Sequence, residues 1–548
     1  MINKIDSAKK PQPNYDKMNP PELIDVIKKQ ETQILGLKQE LGNILSMIRL
    51  NNDQKYGKSG DSVPYPEGME QLNFFNEAEK YGRKEDPEPS FESATAKIPK
   101  KQKEKGKKDR DLSGLAVTVI EHELAEQEQI CPVCQNELHE MKTEVTRILK
   151  LVPVHFEVEE HRRHVYTCRA CEKTQGEGDS IPFVRADMPC IPIAGSFASA
   201  ELLAGIINTK YVNHVPLARI ESEFSRMDSV MITRQTMSNW MLKISEKYMK
   251  PLNDRMKEVL LSKPVIHADE THCVVAYEDG SESRKKCYMW VYCTGIHDIP
   301  IVYYEFHNTR GFEAAEEFLK NYSGFIHSDG YEVYHKLRPE ITVVGCLAHI
   351  KRKYSDALKS LGDEEKKNTC CYKGQEYCDA IFHAEKRLAD FSPEERYEKR
   401  LIQVKPIMDA FFTWLEETFP QTVPDSPAYK AIQYSLNQWP YFKNILLDGR
   451  LECTNNLVER SIRPFAQGRA NWITIKTNRG GSSSAANYSV VQTALANNLK
   501  VYDYLVYLFK EMPNADLNNH PERMDRFVPW SKELPANCYK SETEKQKT

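Results

Sequence analysis

The chain has no apolar run approaching the ~20 residues needed to cross a bilayer. Its start, MINKIDSAKKPQPNYDK, lacks the apolar stretch of a secretory signal. The expectation is a cytoplasmic protein with no membrane partner. Positive charge is not in excess either: 75 Lys and Arg against 79 Asp and Glu leave a net charge of −4, so the chain as a whole shows no basic footprint for nucleic acid. The charge is nonetheless uneven. Lys100, Lys101, Lys103, Lys105, Lys107, Lys108 and Arg110 crowd one segment, which suits either a solvated linker or a contact to a phosphate backbone. Without a secretory signal, the 14 cysteines read as reduced thiols and not as a disulfide framework. Apolar content of 40% and charged content of 28% are those of globular protein, and 548 residues are too many for one core.

What is present divides the chain into segments. Leu23, Ile27, Ile34, Leu37, Leu41, Ile44 and Ile48 keep a 4-3 spacing broken only at Gln30. This predicts a coiled coil over residues 20–50 and hence a homo-oligomer, the alternative being an amphipathic helix packed on its own protein. Residues 51–112, rich in Lys, Glu, Pro and Ser without a period, read as a flexible linker. Cys131 and Cys134 in CPVC are answered by Cys168 and Cys171 in CRAC. Four thiolates so paired can hold one structural Zn²⁺ tetrahedrally, and the alternation of Val154, Phe156 and Val158 with His155, Glu157 and Glu159 suits the hairpin of a zinc ribbon over 113–185.

Residues 186–262 turn helical, in the pattern of a helix-turn-helix. Thr233 is expected to cap the second helix, with Met237, Trp240, Met241 and Ile244 inward. Arg234, Gln235, Ser238, Asn239 and Lys243 then face outward, able to reach base edges or phosphates from a major groove; plain scaffolding is the alternative. From 263 to 359 come the strands VIHADETHCVVAY, CYMWVYCTG and IPIVYYEFH, a helix, the strand GFIHSD, a helix and the strand TVVGC. That order is the one of an RNase H-like α/β fold, whose first and fourth strands adjoin. Residues 360–448, with Trp414 and Trp439, read as a helical insertion. The core resumes over 449–500, and 501–548 form a small helical element and tail. The fold class is therefore multidomain α/β.

Asp269 and Asp329 close short β-like runs, and Glu459 lies on a helix dense in Asn and Arg. Oxygen-only ligands of this kind suit a pair of Mg²⁺ or Mn²⁺ ions and phosphodiester cleavage or transfer. Asn456-x-x-Glu459 is also a plausible capping box, but Asn455, Glu459 and Arg463 share one helix face. Arg460 and Arg463 could hold phosphates there, with Asn455 orienting the carboxylate or the DNA strand. Glu270, next to Asp269 on a strand, points to the opposite face and reads as a salt-bridge or surface partner and not a ligand. His267 and His327 share the faces of Asp269 and Asp329, as structural histidines or phosphate contacts. His349, with Lys351, Arg352 and Lys353 as backbone clamps, completes the candidates.

The blocks HADET, HSDGY, CLAHIKRKY, NNLVERSIRPFAQGRANW and RMDRFVPW resemble the transposases of insertion sequence family sixty-six. The similarity runs from the cysteine pairs to the tail near 540, and NNxxERxIRPxxxGRxNW is its most specific part. It implies a DDE transposase with Asp269, Asp329 and Glu459 as its triad, binding terminal inverted repeats and target DNA and performing cleavage and strand transfer without a covalent protein–DNA intermediate. It implies as well a bacterial, nucleoid-associated setting and small accessory proteins encoded beside the gene. An RNase H-like nuclease and a catalytically inactive DNA-binding regulator derived from a transposase are the rival readings. The ribbon and helix-turn-helix speak against the first, and the three acids against the second.

Overall fold

The computed structural model describes residues 191–541 apart from 229–231, 279–280 and 360, with short stretches at 20, 24–28, 30–31, 156, 158, 165–167 and 183–185. The chain divides into two compact units, residues 1–57 with 154–548, and residues 58–153. The second unit lies wholly outside the described residues. So do Cys131, Cys134, Cys168 and Cys171, the lysine-rich segment and most of the repeat at 20–50, of which residues 24–28 are helical.

Two short strands, β1 (Val165–Thr167) and β2 (Phe183–Arg185), pair antiparallel. Helices α1 (Ala200–Tyr211), α2 (Leu217–Asp228) and α3 (Arg234–Ile244) follow, and a π turn at Ser245–Met249 leads into α4 (Lys250–Leu261). The Thr233 hydroxyl accepts the Thr236 N–H at 3.2 Å and starts α3. Met237, Trp240, Met241 and Ile244 are buried while Arg234, Gln235, Asn239 and Lys243 stay exposed, as their spacing predicts. These helices are not packed as a separate domain: their apolar faces join the same core as the sheet that follows.

That sheet holds β3 (Val265–Glu278), β4 (Ser281–Thr294), β5 (Val302–His307), β6 (Gly324–His327) and β7 (Ile341–Val344), with α5 (Phe312–Phe318) and α6 (Glu332–His335) between the later strands. Its order is β5-β4-β3-β6-β7, with β3, β4 and β5 antiparallel and β6 and β7 parallel to β3. β-Branched and aromatic residues dominate these runs, as a pleated surface buried on both faces requires. Successive residues pack on opposite sides. Ile266 and Val343 belong to the core shared with α1 to α4, while Val265 and Val344 belong to a second core built from the helices after β7.

Those helices are α7 (Leu347–Leu358), α8 (Asp363–Lys367), α9 (Cys370–Lys386), α10 (Pro393–Gln403), α11 (Lys405–Thr418) and α12 (Pro427–Phe442). Of these, α8 to α12 lie in the span 360–448 expected to be a helical insertion, and Trp414 and Trp439 are part of the second core. Arg400 is fully buried and fully occupied. It meets Glu385 through Nε at 2.7 Å and Nη2 at 2.8 Å, and donates to the carbonyls of Ile445, Asp448 and Leu451. Arg396 adds a second guanidinium on Glu385 at 3.2 Å. The segment returning from the insertion is thereby clipped to α9 and α10 before it enters α13 (Asn456–Trp472), α14 (Asn478–Ala496) and α15 (Val501–Glu511).

Both flanks of the sheet are met by side chains. Ser489 and Thr493 of α14 accept the N–H groups of Tyr304 and Val302 at 2.8 and 3.0 Å, and Asn497 donates to the Pro300 carbonyl at 2.7 Å. A step of four helical residues, about 6 Å, matches two residues of strand. On β7, Asn444 donates to the Val343 carbonyl at 2.8 Å. The C-terminal segment belongs to this body, since Tyr504, Leu505, Phe527, Val528 and Leu534 share the first core. Among the described residues no helix is long and apolar enough to cross a membrane.

Candidate active site

His267 and His327 are the last paired residues of the parallel β3/β6 ladder. Asp269 and Asp329 each lie two residues further on: Asp329 just past the end of β6, and Asp269 inside β3, beyond its last parallel pair and opposite Val291 of β4, where the parallel ladder of an α/β sheet stops and ligands commonly bind. Beneath them the two imidazoles stack, ring centres 4.4 Å apart. Both are fully buried. The His267 Nδ1 pairs with the Asn455 side-chain oxygen at 3.0 Å, and His327 Nε2 accepts the Glu452 N–H at 3.2 Å. Burial holds both histidines well below the usual imidazole range, His267 at about 4. Each is thus a neutral structural floor without access to a phosphate, which settles the choice left by the spacing.

Asp269 accepts the Glu270 N–H at 2.8 Å, and Asp329 accepts the Tyr331 N–H at 3.0 Å. Burial pushes the Asp269 carboxyl up to about 8, helped by the charges of Glu270, Asp329 and Glu459. That mutual repulsion across chain separations of 60 and more places the three predicted acids in one neighbourhood. Glu270 points away from Asp269, as a strand dictates. It is not on the surface, however: Arg310 reaches its carboxylate at 2.5 Å and the Tyr334 hydroxyl donates at 2.8 Å. Arg310 in turn lies over the Tyr331 ring at 3.7 Å. A salt bridge or a surface position was expected of Glu270, but nothing in the sequence pattern named Arg310, 40 residues away, as its partner.

Glu459 is on the first turns of α13, but not as a cap. The N-cap is Asn455, which makes no side-chain cap bond, so Glu459 falls one position beyond the place a capping box needs. Asn455 requires a correction. It is fully buried, with its amide donating to the Ala268 carbonyl at 2.9 Å and its oxygen against His267. It therefore cannot touch DNA; it ties the start of α13 to β3 beside Asp269. Arg469 ties the other end, donating to the Thr271 hydroxyl at 3.0 Å. Between these ties Arg460 and Arg463 are exposed.

The Glu459 Oε1 is buried without a hydrogen-bond partner. The nearest basic group is His349 Nδ1 at 3.8 Å, beyond hydrogen-bond length. Cys346, His349 and Glu459 bring ligand atoms within 4.8 Å of one another. The thiol is nevertheless poorly suited to a soft metal, because burial lifts it to about 11 and its sulfur accepts the Asn455 N–H at 3.2 Å. Arg352 and Lys353 are exposed on α7, whereas Lys351 is paired with Asp379 of the insertion and so is less free to clamp a backbone than its spacing suggested.

The chain is similar in sequence to known proteins. The family model described as Transposase IS66 family matches residues 195–483, over half of the chain, from α1 into α14. A second, the zinc-finger binding domain of transposase IS66, matches residues 128–172, the stretch with all four paired cysteines. Two similar proteins come from Sinorhizobium fredii (strain NBRC 101917 / NGR234). The protein y4jD is 26% identical over 414 residues, 73% of this chain and 78% of its own length. The protein y4hP is 26% identical over 424 residues, 73% of each chain. Both are themselves called uncharacterized.

Proposed function

The chain belongs to the IS66 transposase family, and from that premise we propose that Asp269, Asp329 and Glu459 are the metal-binding carboxylates of a DDE-type DNA strand transferase on an RNase H-like core. The observation that carries this reading is the half-buried Asp269, set among like charges with no cation paired to it. Such an arrangement is costly in a folded chain unless something positive arrives. The orphaned Glu459 Oε1 and the all-oxygen character of the three groups fit hard divalent ions, Mg²⁺ or Mn²⁺. When bound, such ions supply charge neutralisation at a scissile phosphodiester.

The protein's own residues do the rest. Asp269 is fixed by a backbone N–H of β3 and Asp329 by the N–H of Tyr331 at the start of α6, and Asn455 and Arg469 fix the helix that presents Glu459. Preorganisation of this kind spares the reaction the cost of reorienting its ligands. Arg310 neutralises Glu270, so that residue does not compete as a fourth anion. Arg460, Arg463 and Arg352 are placed to hold phosphates flanking the reacting one. The outward face of α3 reads element-end DNA, Zn²⁺ on Cys131, Cys134, Cys168 and Cys171 orders a DNA-binding ribbon, and the repeat at 20–50 drives self-association.

The test is cleavage and strand transfer on duplexes carrying the ends of the element, with Mg²⁺ or Mn²⁺. Asp269→Asn, Asp329→Asn and Glu459→Gln should each abolish both reactions while end-DNA binding persists. Full activity in soluble Glu459→Gln protein would overturn the triad. Binding without cleavage by the wild-type chain would make it the inactive regulator, and cleavage without end preference a nuclease.

A further inference from the structure

Away from the carboxylates, a pocket of about 440 Å³ opens between α1, α3 and the segment joining α13 to α14. Its charged lining is all basic: Lys210, Lys476 and Arg479, with no Asp or Glu. Arg479 is spoken for by Glu246, at 2.6 and 2.8 Å. Lys210 is not. Its ammonium lies 4.2 Å from the centre of the Trp472 ring and 5.5 Å from that of Tyr211, and no carboxylate among the described residues pairs with it or with Lys476. Desolvation with nothing negative nearby pushes the Lys210 amine down to about 8. A half-buried ammonium laid over an indole with no counter-anion is a cost that structure alone does not explain.

The pocket is also shaped by residues of the most specific sequence block. A side-chain carbon at Gly468 would collide with the Trp472 ring and the Tyr488 hydroxyl, so glycine there lets the indole fold back beneath Lys210. Gln235 and Ser238, from the outward face of α3, line the opposite wall. At 1.5 Å per residue, α13 sets Trp472 about 20 Å from Glu459, or roughly six nucleotides of strand.

We propose that this pocket holds a backbone phosphate of bound DNA on Lys210 and Lys476, several nucleotides from the reacting phosphodiester and between that site and the α3 face. The proposal rests on the reading that the chain binds DNA. An anion here completes a cationic pocket that the protein leaves open, and it connects the helix that reads sequence to the helix that carries Glu459.

The experiment uses full-length protein and a duplex of unrelated sequence, titrated at several salt concentrations. Lys210→Met keeps the aliphatic stem beside Trp472 and removes the charge; Lys476→Gln changes an exposed residue with little structural risk. Each variant should lower the slope of log K against log salt by about 1, and the pair by about 2. In parallel, amine acylation at pH 8 should label Lys210 early in free protein and be blocked by the duplex. Unchanged slopes, or labelling undiminished by bound duplex, would overturn the pocket while leaving DNA binding intact. Failure of the wild-type chain to bind any duplex would instead bring down the reading beneath it. Protection by inorganic phosphate without a change in slope would mark a small-anion site and overturn the assignment to DNA. Should Lys210→Met fail to fold, an unchanged slope for Lys476→Gln suffices to reject the proposal.

Discussion

Glu385 and Asp269 are carboxylates of the same folded body, the first buried and the second half-buried. Glu385 meets two guanidiniums, and the Arg400 donors left over are taken up by three backbone carbonyls. Asp269 has one backbone N–H and otherwise the charges of Glu270, Asp329 and Glu459. The first cluster is closed by its own chain and so explains itself as structure. The second is not closed, and its deficit is of one sign. Glu270 stands between them, adjacent to Asp269 in sequence yet neutralised by Arg310. Buried charge by itself is thus a poor marker of function; buried charge without a partner is a much better one.

The sharpest way to break this contrast is to open the closed cluster. Arg400→Met strands Glu385 and three carbonyls and should cost about 3–5 kcal/mol in urea unfolding; a loss under about 1 kcal/mol would mean the cluster is not what holds the return segment. Next, Asp269→Asn should lower cleavage about a thousandfold, some 4 kcal/mol at the transition state, while the fold gains stability when metal is absent. Equal losses of activity and stability would put Asp269 with Glu385.

The pH dependence follows from the same deficit. Asp269 has its carboxyl pushed up to about 8 in the fold against about 3.9 when unfolded. Between these values the folded state binds the extra proton, so chelator-treated protein should lose stability as pH rises from about 4 to about 8. Burial raises Glu270 and Glu452 in the same sense. Asp269→Asn should flatten the melting curve against pH by about 1–2 kcal/mol, and added Mg²⁺ should do the same to the wild type. A profile rising through that window would contradict the burial of the acid. A comparable effect belongs to the exposed polar face: Gln235→Ala with Asn239→Ala should weaken end-specific binding by about 1–3 kcal/mol and unrelated duplex hardly at all. Equal losses on both would make that face a backbone contact.

Much of this site is written in short-range pattern. The order of strands brought Asp269 and Asp329 together, and the cap at Thr233 with its four inward residues was legible because each depends only on local spacing. Asn455 was misjudged for the converse reason: helical period gives its direction but not its depth, and depth came from His267 and Ala268 on a strand nearly 190 residues away. Arg310, Arg396 and Arg400 were invisible for the same cause, being defined by partners that only the folded chain supplies. The expected boundary after residue 262 marks a change of secondary structure and not of packing, since α1 to α4 and the C-terminal segment share the core of the sheet.

The hydroxyls of Ser489 and Thr493 and the amides of Asn497 and Asn444 have a consequence for assembly. The β5 edge, which already spends backbone groups of Pro300, Val302 and Tyr304 on these side chains, offers little ladder for a foreign strand to join. Partly folded copies crowded together therefore gain little template at that edge for cross-β growth.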